Sequence, residues 1–301
     1  MRTPPLSTEA APRTDDTALV LVAHGSRDPR AANATRALVR AVAALRPGLD
    51  VRASYLDHAG PRPGEVLTAL EAAGYARAIL VPLLLTAAYH GRVDMPEVLR
   101  TARAEGLRMP AAISEVIGPF DGVVPDLLLA GLLHRLGEVT DLPPLHGYGR
   151  AHPPETAGHR APEAEGREPA KAGIGVPDPG FDAVVLAAAG TNDATARGTV
   201  AQAAVALGDL LGVPCTVAYA SASAPTGAEA VAALRTAGAR RIAIAGYFLA
   251  PGRLYDTVVE SARSAGGVVA VAPPLTDARD IARLVLSRAD AVTVPSTALA
   301  A

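Results

Sequence analysis

The sequence predicts an α/β protein of two similar domains, each an open parallel sheet flanked by helices. Short apolar runs rich in Val, Leu and Ala alternate with longer helical patterns, which is typical of a parallel sheet covered on both faces. The same series of patterns then occurs a second time. With 301 residues, of which 50% are hydrophobic and 19% charged, the chain is long enough for two domains with substantial cores.

The first copy contains four strand patterns and four helix patterns. We predict strands at 17–23, 51–56, 78–85 and 111–116, and helices at 29–46, 63–73, 95–105 and 123–136. Asp28 is a good N-cap residue and Pro29 suits a first helical turn, so the first helix begins there. Asp94 and Pro96 give a similar signal for the third helix. Glycines stand where three helices should end, at Gly48, Gly74 and Gly106.

The second copy repeats the strands and the turns that follow them. AVVLAAAGTND (183–193) aligns with LVLVAHGSRD (19–28), VAYASASAP (217–225) with ASYLDHAGP (53–61), and GARRIAIAGYFL (238–249) with GYARAILVPLLL (74–85). From the second strand onward, equivalent positions differ by a constant 164, as Asp57 and Ser221 do. The sequence therefore indicates an internal duplication.

Composition divides the chain further. We predict a disordered tail at 1–16, a first domain at 17–140, a linker at 141–180, a degenerate second domain at 181–292 and a tail at 293–301. The linker is rich in Pro and Gly and has no apolar periodicity, so it cannot bury enough surface to offset the entropy of ordering. It contains His146, His152 and His159, which we interpret as ordinary linker histidines rather than a metal-sensing tract.

Several classes of protein are disfavoured. A net charge of −2 argues against a nucleic-acid partner, and the single cysteine, Cys215, excludes an internal disulfide and an all-cysteine metal centre. The N-terminus lacks the apolar region of a secretory signal, and no apolar run reaches the ~18 residues needed to span a bilayer. We therefore expect a cytoplasmic protein with no membrane partner. Because no phosphate-binding glycine loop is present, we expect no nucleotide cofactor.

Polar side chains follow three neighbouring strand patterns. His24 ends the first strand, Asp57 and His58 follow the second, and His90 follows the third. These loops open on the carboxyl edge of a parallel sheet, and they are immediate neighbours if the first strand lies between the other two. Imidazole with carboxylate suits Zn²⁺, Fe²⁺, Co²⁺ or Ni²⁺. We predict a transient metal site of His24 and His90, with Asp57 or His58 as a variable third ligand.

The second copy has lost these side chains. Ala189, Ser221, Ala222 and Leu254 stand where the first copy has His24, Asp57, His58 and His90. A purely structural end to the strand should be needed in both copies, so the loss favours a chemical role. The alternatives are a loop-surface role for His90, a turn-forming role for Asp57 before Pro61, and a bystander role for His58. We expect His134 to be a helix-surface residue.

Four residues are candidates for binding an acidic substrate. Ser26, Arg27 and Arg30 flank the start of the first helix, where free amides favour anions, and Arg92 lies in the third loop. Each arginine could equally be a solvated surface charge. Three residues of the second copy could line its side of a cleft or serve as core or surface residues: Tyr247, Arg253 and Tyr255.

Two segments resemble the sirohydrochlorin chelatase family, the class II cobaltochelatases and ferrochelatases. They are HGSRDP (24–29), directly after a strand, and PLLLTAAYH, which ends at His90 and is followed by Asp94 and Pro96. The resemblance covers 17–137 clearly and 183–290 as a degenerate second copy, as in the two-domain form of the family. It implies a chelatase-like fold, acting as a monomer with two pseudo-symmetric domains.

The resemblance also implies a function. The implied enzyme is a lyase that inserts Fe²⁺ or Co²⁺ into sirohydrochlorin without ATP. The metal is a substrate, and the product would serve sirohaem or cobalamin biosynthesis. His24 and His90 would bind the metal in a cleft between the halves and act as catalytic residues by promoting loss of the pyrrole protons. Two departures stand out: the family often has a glutamate where Asp57 and His58 stand, and a glycine where Ala88 stands.

Other functions use the same residues. A metal or tetrapyrrole carrier without turnover would need the same two histidines. A chelatase for protoporphyrin-type rings would need a more apolar cleft with fewer arginines. The sequence leaves the metal open, since divalent affinities rise along the same series at almost any such site.

Overall fold

The computed structural model describes residues 17–86, 95–142 and 179–293, which form two four-stranded parallel sheets. The first contains β1 (Thr17–Ala23), β2 (Asp50–Tyr55), β3 (Arg77–Pro82) and β4 (Ala111–Ile113), in the order β2-β1-β3-β4. The second contains β5 (Ala183–Ala188), β6 (Cys215–Tyr219), β7 (Ile242–Gly246) and β8 (Val268–Pro274), in the order β6-β5-β7-β8. The identical orders agree with the duplication, and β1 lies between β2 and β3 as the site requires.

Helices cover the sheets and alternate with the strands. They are α1 (Pro29–Leu45), α2 (Pro63–Ala72), α3 (Met95–Ala104), α4 (Asp126–Gly137), α5 (Ala194–Leu211), α6 (Gly227–Thr236), α7 (Arg253–Ser264) and α8 (Arg279–Asp290). The predicted α/β class is confirmed. The predicted helix ends in the first half agree with the structure to within three residues.

Strands β3 and β4 are shorter than their apolar sequence runs. The Leu83 amide still donates to the Val22 carbonyl, at 2.8 Å, but the Leu84 amide turns back to the Pro82 carbonyl, at 2.9 Å. After β4, Val116 and Ile117 are buried without continuing the ladder. The predictions of 78–85 and 111–116 were therefore too long, because burial continues past the last strand pairing.

The first helix of each half begins in the same way. In α1 the Asp28 carboxylate accepts from the Arg30 amide at 3.0 Å, and the Ser26 hydroxyl accepts from the Asp28 amide at 3.0 Å. In α5 the Asp193 carboxylate accepts from the Thr195 amide at 2.8 Å. An aspartate N-cap thus fixes where both helices leave the carboxyl edge of their sheets.

The last helix of each half packs against the other half. Helix α4 packs on β7, β8 and α8, while α8 packs on α1 and β3. Gly131 lets α4 approach α8 closely, because a Cβ there would lie 3.1 Å from Ile281 Cδ1. A single buried cluster includes Leu19 and Leu132 from the first half together with Leu186 from the second. The two halves therefore share this cluster, while each half also has a buried cluster of its own.

The remaining residues lie outside the described ranges. They are 1–16, 87–94, 143–178 and 294–301, and they include most of the predicted linker, almost all of both predicted tails, and His90, Arg92 and Asp94. Across the ranges that are described, each helix is too short or too polar to cross a bilayer.

Candidate functional site

His24 lies at the carboxyl end of β1, where the loops after β1 and β2 meet. The Asp57 amide donates to the His24 carbonyl at 2.8 Å, and the His24 and His58 rings lie edge to face with their centroids 6.5 Å apart. Gly25 permits this approach: its φ is +95°, and a Cβ there would overlap the Asp57 carbonyl. The structure thus brings together His24, Asp57 and His58, as predicted.

The Asp57 carboxylate is held in its charged form. Its Oδ1 accepts from the His58 backbone amide at 2.7 Å, and its Oδ2 lies 3.4 Å from His58 Nε2. The hydrogen bond from the His58 amide lowers the pKa of Asp57 most, and electrostatic interactions with His58, Arg62 and His24 lower it further. Arg62, which the sequence reasoning did not consider, places its guanidinium 3.7 Å from Asp57 Oδ1. Asp57 is therefore an ionised ligand candidate at neutral pH.

His24 lies in a cleft between the two halves, which consists of two adjoining cavities. One, of about 340 Å³, lies between the β1–α1 loop and residues 248–255 of the second half. The other, of about 290 Å³, lies between residues 83–86 and the β5–α5 loop. Both cavities are lined by His24, Leu83, Ala189, Phe248 and Leu249. Their walls are mostly apolar, which suits a large organic ligand.

The predicted substrate-binding residues have different surroundings. Ser26 and Arg27 line the larger cavity, and the exposed Arg27 guanidinium has no carboxylate partner among the described residues. Arg30 does not line it; its Nη2 lies 2.7 Å from Asp28 and 2.6 Å from Asp256 of the other half. These hydrogen bonds raise the pKa of Arg30 and lower that of Asp28. Arg30 therefore links the halves, a contact that its sequence neighbourhood did not reveal.

The predicted ligand His90 and the predicted substrate residue Arg92 lie outside the described residues. The chain that leads to them is well anchored. Thr86 lines the smaller cavity, and the buried Tyr247 hydroxyl of the second half donates to the Leu85 carbonyl at 3.1 Å. Within the described ranges, no group of three or more His, Cys, Asp or Glu residues is arranged to hold a metal.

The second half supplies one wall of the cleft. Arg253, Leu254 and Tyr255 line the larger cavity, and Tyr247 lines the smaller one. The sequence left open whether Arg253 and Tyr255 line the cleft, and the structure shows that they do. Leu254 was not expected there. A signal was available in the sequence: in the duplication, Leu254 corresponds to the predicted ligand His90. His134, by contrast, is an exposed residue of α4, as predicted.

The fold and the histidine-bearing cleft define a duplicated α/β protein of the chelatase-like class. SirB from Bacillus subtilis with Fe³⁺ has 19% identity and a TM-score of 0.65, covering 90% of this chain and 93% of that chain. The sirohydrochlorin chelatase SirB from Bacillus subtilis subspecies spizizenii, in complex with cobalt, has 16% identity and a TM-score of 0.63, covering 91% and 94%. These structures share the fold with this chain.

A third structure, DR2241 from Deinococcus radiodurans, has 18% identity and a TM-score of 0.53, covering 91% of this chain and 54% of that chain. It is described as similar in structure to chelatases, with two additional novel domains. The CbiX family model matches residues 18–134 and again 183–292. The chain belongs to the CbiX family, which confirms the family resemblance and the duplication. No curated protein matches the sequence.

Proposed function

We propose that this protein is a sirohydrochlorin chelatase, a lyase that inserts Fe²⁺ or Co²⁺ into sirohydrochlorin without ATP. The main support is the position of His24 in the cleft between the halves, together with its replacement by Ala189 in the second half. Family membership and the likeness of fold to SirB, whose structures hold iron or cobalt, point the same way.

The metal is a substrate in this reaction, and the histidines deliver it. His24 and His90 would hold the ion on one face of the ring, with Asp57 or His58 as a third ligand. When the divalent ion enters the macrocycle, two pyrrole nitrogens each lose a proton, so the ring exchanges two protons for one M²⁺. A neutral imidazole within hydrogen-bond reach of a pyrrole N–H accepts one of these protons. Incomplete coordination by the protein lets the metal leave for the ring.

The cleft would hold the macrocycle through complementary surfaces. Its apolar walls suit the ring faces, while Ser26 and Arg27, with Arg92 from the third loop, would bind the acidic side chains of the substrate. Arg30 already pairs with two carboxylates of the protein, so in this scheme it stabilises the contact between the halves and does not bind substrate. Holding metal and ring together lowers the entropic cost of transfer.

The cellular setting follows from the same proposal. The product would enter sirohaem or cobalamin biosynthesis in the cytoplasm. The enzyme would act as a monomer without a nucleotide, because both walls of the cleft come from one chain.

The test is anaerobic metal insertion, followed by the absorbance of the ring, with Fe²⁺, Co²⁺ and Ni²⁺ in turn. We expect turnover by the wild type and a loss of about 100-fold or more in His24→Ala and in His90→Ala, the range for removing an acid–base group. His134→Ala is the matched control and should keep the wild-type rate, because His134 is exposed on α4. A wild type that binds metal or ring tightly but gives no rate above the spontaneous one would be a carrier, and the proposal would fail.

The third ligand is tested in the same assay. Asp57→Asn keeps the size of the side chain while removing its charge, and His58→Asn removes the imidazole while keeping a polar side chain. The variant that raises the KM for the metal identifies the ligand. If neither raises it, the loop after β2 supplies no ligand to the metal.

A further inference from the structure

We propose that the second half, which lacks the histidines, binds the substrate: Arg253 pairs with a carboxylate of the macrocycle and Leu254 contacts the ring. This inference rests on the proposed function, because it names a binding partner within the same cleft. It assigns a role to the first turn of α7, which lines the same cavity as His24.

Arg253 is placed to bind an anion inside the cleft. It is the first residue of α7, its side chain is exposed, and it lines the same cavity as His24. The arginines that line this cavity are Arg253 and, from the opposite half, Arg27. A ligand between the two walls would therefore meet a guanidinium from each side.

The nearby carboxylates do not neutralise these two arginines. Asp28 lines the cavity, and both it and Asp256 of the other half are bound by Arg30, at 2.7 and 2.6 Å. Among the described residues, no carboxylate pairs with Arg253 or Arg27. The ion pairs of Arg30 thus leave a net positive cavity, which favours a ligand that carries carboxylates.

Leu254 presents apolar surface in the same cavity. Leu254 is 47% exposed and lines the same cavity as Phe248 and Tyr255, whose rings pack edge to face. In the duplication this position corresponds to His90. This position would then offer a metal ligand in the first half and a ring contact in the second. An exposed apolar side chain next to a guanidinium suits a flat macrocycle with acidic side chains.

The experiment compares Arg253→Ala, Arg253→Lys and Arg263→Ala. Arg263 lies near the other end of α7, is exposed, and does not line the cavity, so it controls for loss of a positive charge on this helix. Binding of metal-free sirohydrochlorin is followed by fluorescence, and KM and kcat by metal insertion. The same binding titration is repeated with the fully esterified ring, which has no carboxylates.

We expect Arg253→Ala to raise Kd and KM for the acid by about 5- to 20-fold, the range for a partly exposed charge-assisted pair. The kcat should stay within about twofold, because the contact is made equally in ground and transition states. Arg253→Lys should recover part of the affinity, and Arg263→Ala should match the wild type. None of these changes should affect binding of the ester.

Two results would overturn the inference while leaving the proposed function intact: unchanged binding of the acid by Arg253→Ala, or an equal loss for acid and ester. If the wild type inserts no metal, the proposed function fails, yet the fluorescence titration still tests Arg253 by itself. Leu254→Ala provides the second arm. It should weaken acid and ester alike, and unchanged binding of both would remove Leu254 from the site.

Discussion

The two halves of the molecule share a backbone around the cleft but place different side chains on it. Gly25 and Gly190 have φ of +95° and +93°, and a Cβ at either would overlap the carbonyl of the loop that follows the next strand. His58 and Ala222 are both left-handed, with φ of 58° and 59°. The geometry of these loops therefore does not depend on the histidines, since it persists where they are absent.

The side chains diverge at the same positions. His24 and His58 give way to Ala189 and Ala222, while the second half keeps its own wall of the cleft. The first half thus retains the side chains suited to metal chemistry, and the second half retains a cleft wall with an arginine. The comparison teaches that a duplicated scaffold can specialise by changing side chains on an unchanged turn.

The largest effect should come from exchanging the histidine between the halves. We expect His24→Ala to lose about 100-fold or more in insertion rate, and the double variant His24→Ala with Ala189→His to remain as slow. The backbone would accept a histidine at 189, but Leu254 rather than a second histidine stands at the position that corresponds to His90. Anaerobic insertion assays measure this. Recovery of the rate in the double variant would show that the halves are chemically interchangeable.

The next effect concerns the shared backbone. Gly25→Ala and Gly190→Ala should each lower the free energy of unfolding by about 2–4 kcal/mol, because each adds an overlapping Cβ to a left-handed position. Gly48→Ala is the control: its φ is +92°, but nothing lies within 4 Å of the added Cβ, so only the backbone penalty remains. Urea unfolding measures all three. If the loss were large in one half only, the two turns would not be equivalent.

The smallest effect is a pH dependence that comes from the Asp28–Arg30 pair at the start of α1. Arg30 lowers the pKa of Asp28, whereas Thr195 stands where Arg30 would be in the second half. A carboxyl whose folded pKa is lowered stabilises the protein above its unfolded pKa of ~3.9, and this is lost as pH falls through the folded value. Asp28→Asn keeps the capping oxygen but removes the titrating carboxyl. The free energy of unfolding of this variant should therefore fall less steeply as the pH is lowered.

Arg30→Gln should likewise make the free energy of unfolding less dependent on acidic pH. Combining it with Asp28→Asn should add little, because both substitutions remove the same ion pair. Chemical unfolding from pH 6 down to about pH 2.5 covers the range in which the carboxyl titrates. Additive effects of the two substitutions would show that Asp28 and Arg30 act separately.

Much of the fold could be predicted because apolar runs and turn residues report local structure. The run before His24 gave β1, and Asp28 with Pro29 gave the start of α1. The order of strands around β1, assumed for the site, is confirmed. Local patterns identify an element and its end, which is enough to place His24, Asp57 and His58 on one edge.

Partners that are distant in sequence could not be predicted in this way. Asp256, which binds Arg30, is 226 residues away, and a charge pattern does not identify its partner. The exchange of α4 and α8 was also missed, although one signal was present. The sequence of α4, DLLLAGLLHRLG, is apolar on most of its circumference, as expected of a helix covered on several sides. The choice between Asp57 and His58 stays open, because the structure brings both to the site.

The exchanged helices make the molecule a single folding unit. Helix α8 covers α1 and β3, and α4 covers β7 and β8, so the hydrophobic cluster between the halves is closed only when both are present. A fragment ending at residue 142 would carry α4 without the sheet on which it packs, and α1 without its cover. Domains that are merely tethered can melt one after the other, but these two halves should melt together. The cleft would then form and disappear with the whole molecule, because its two walls would belong to one cooperative unit.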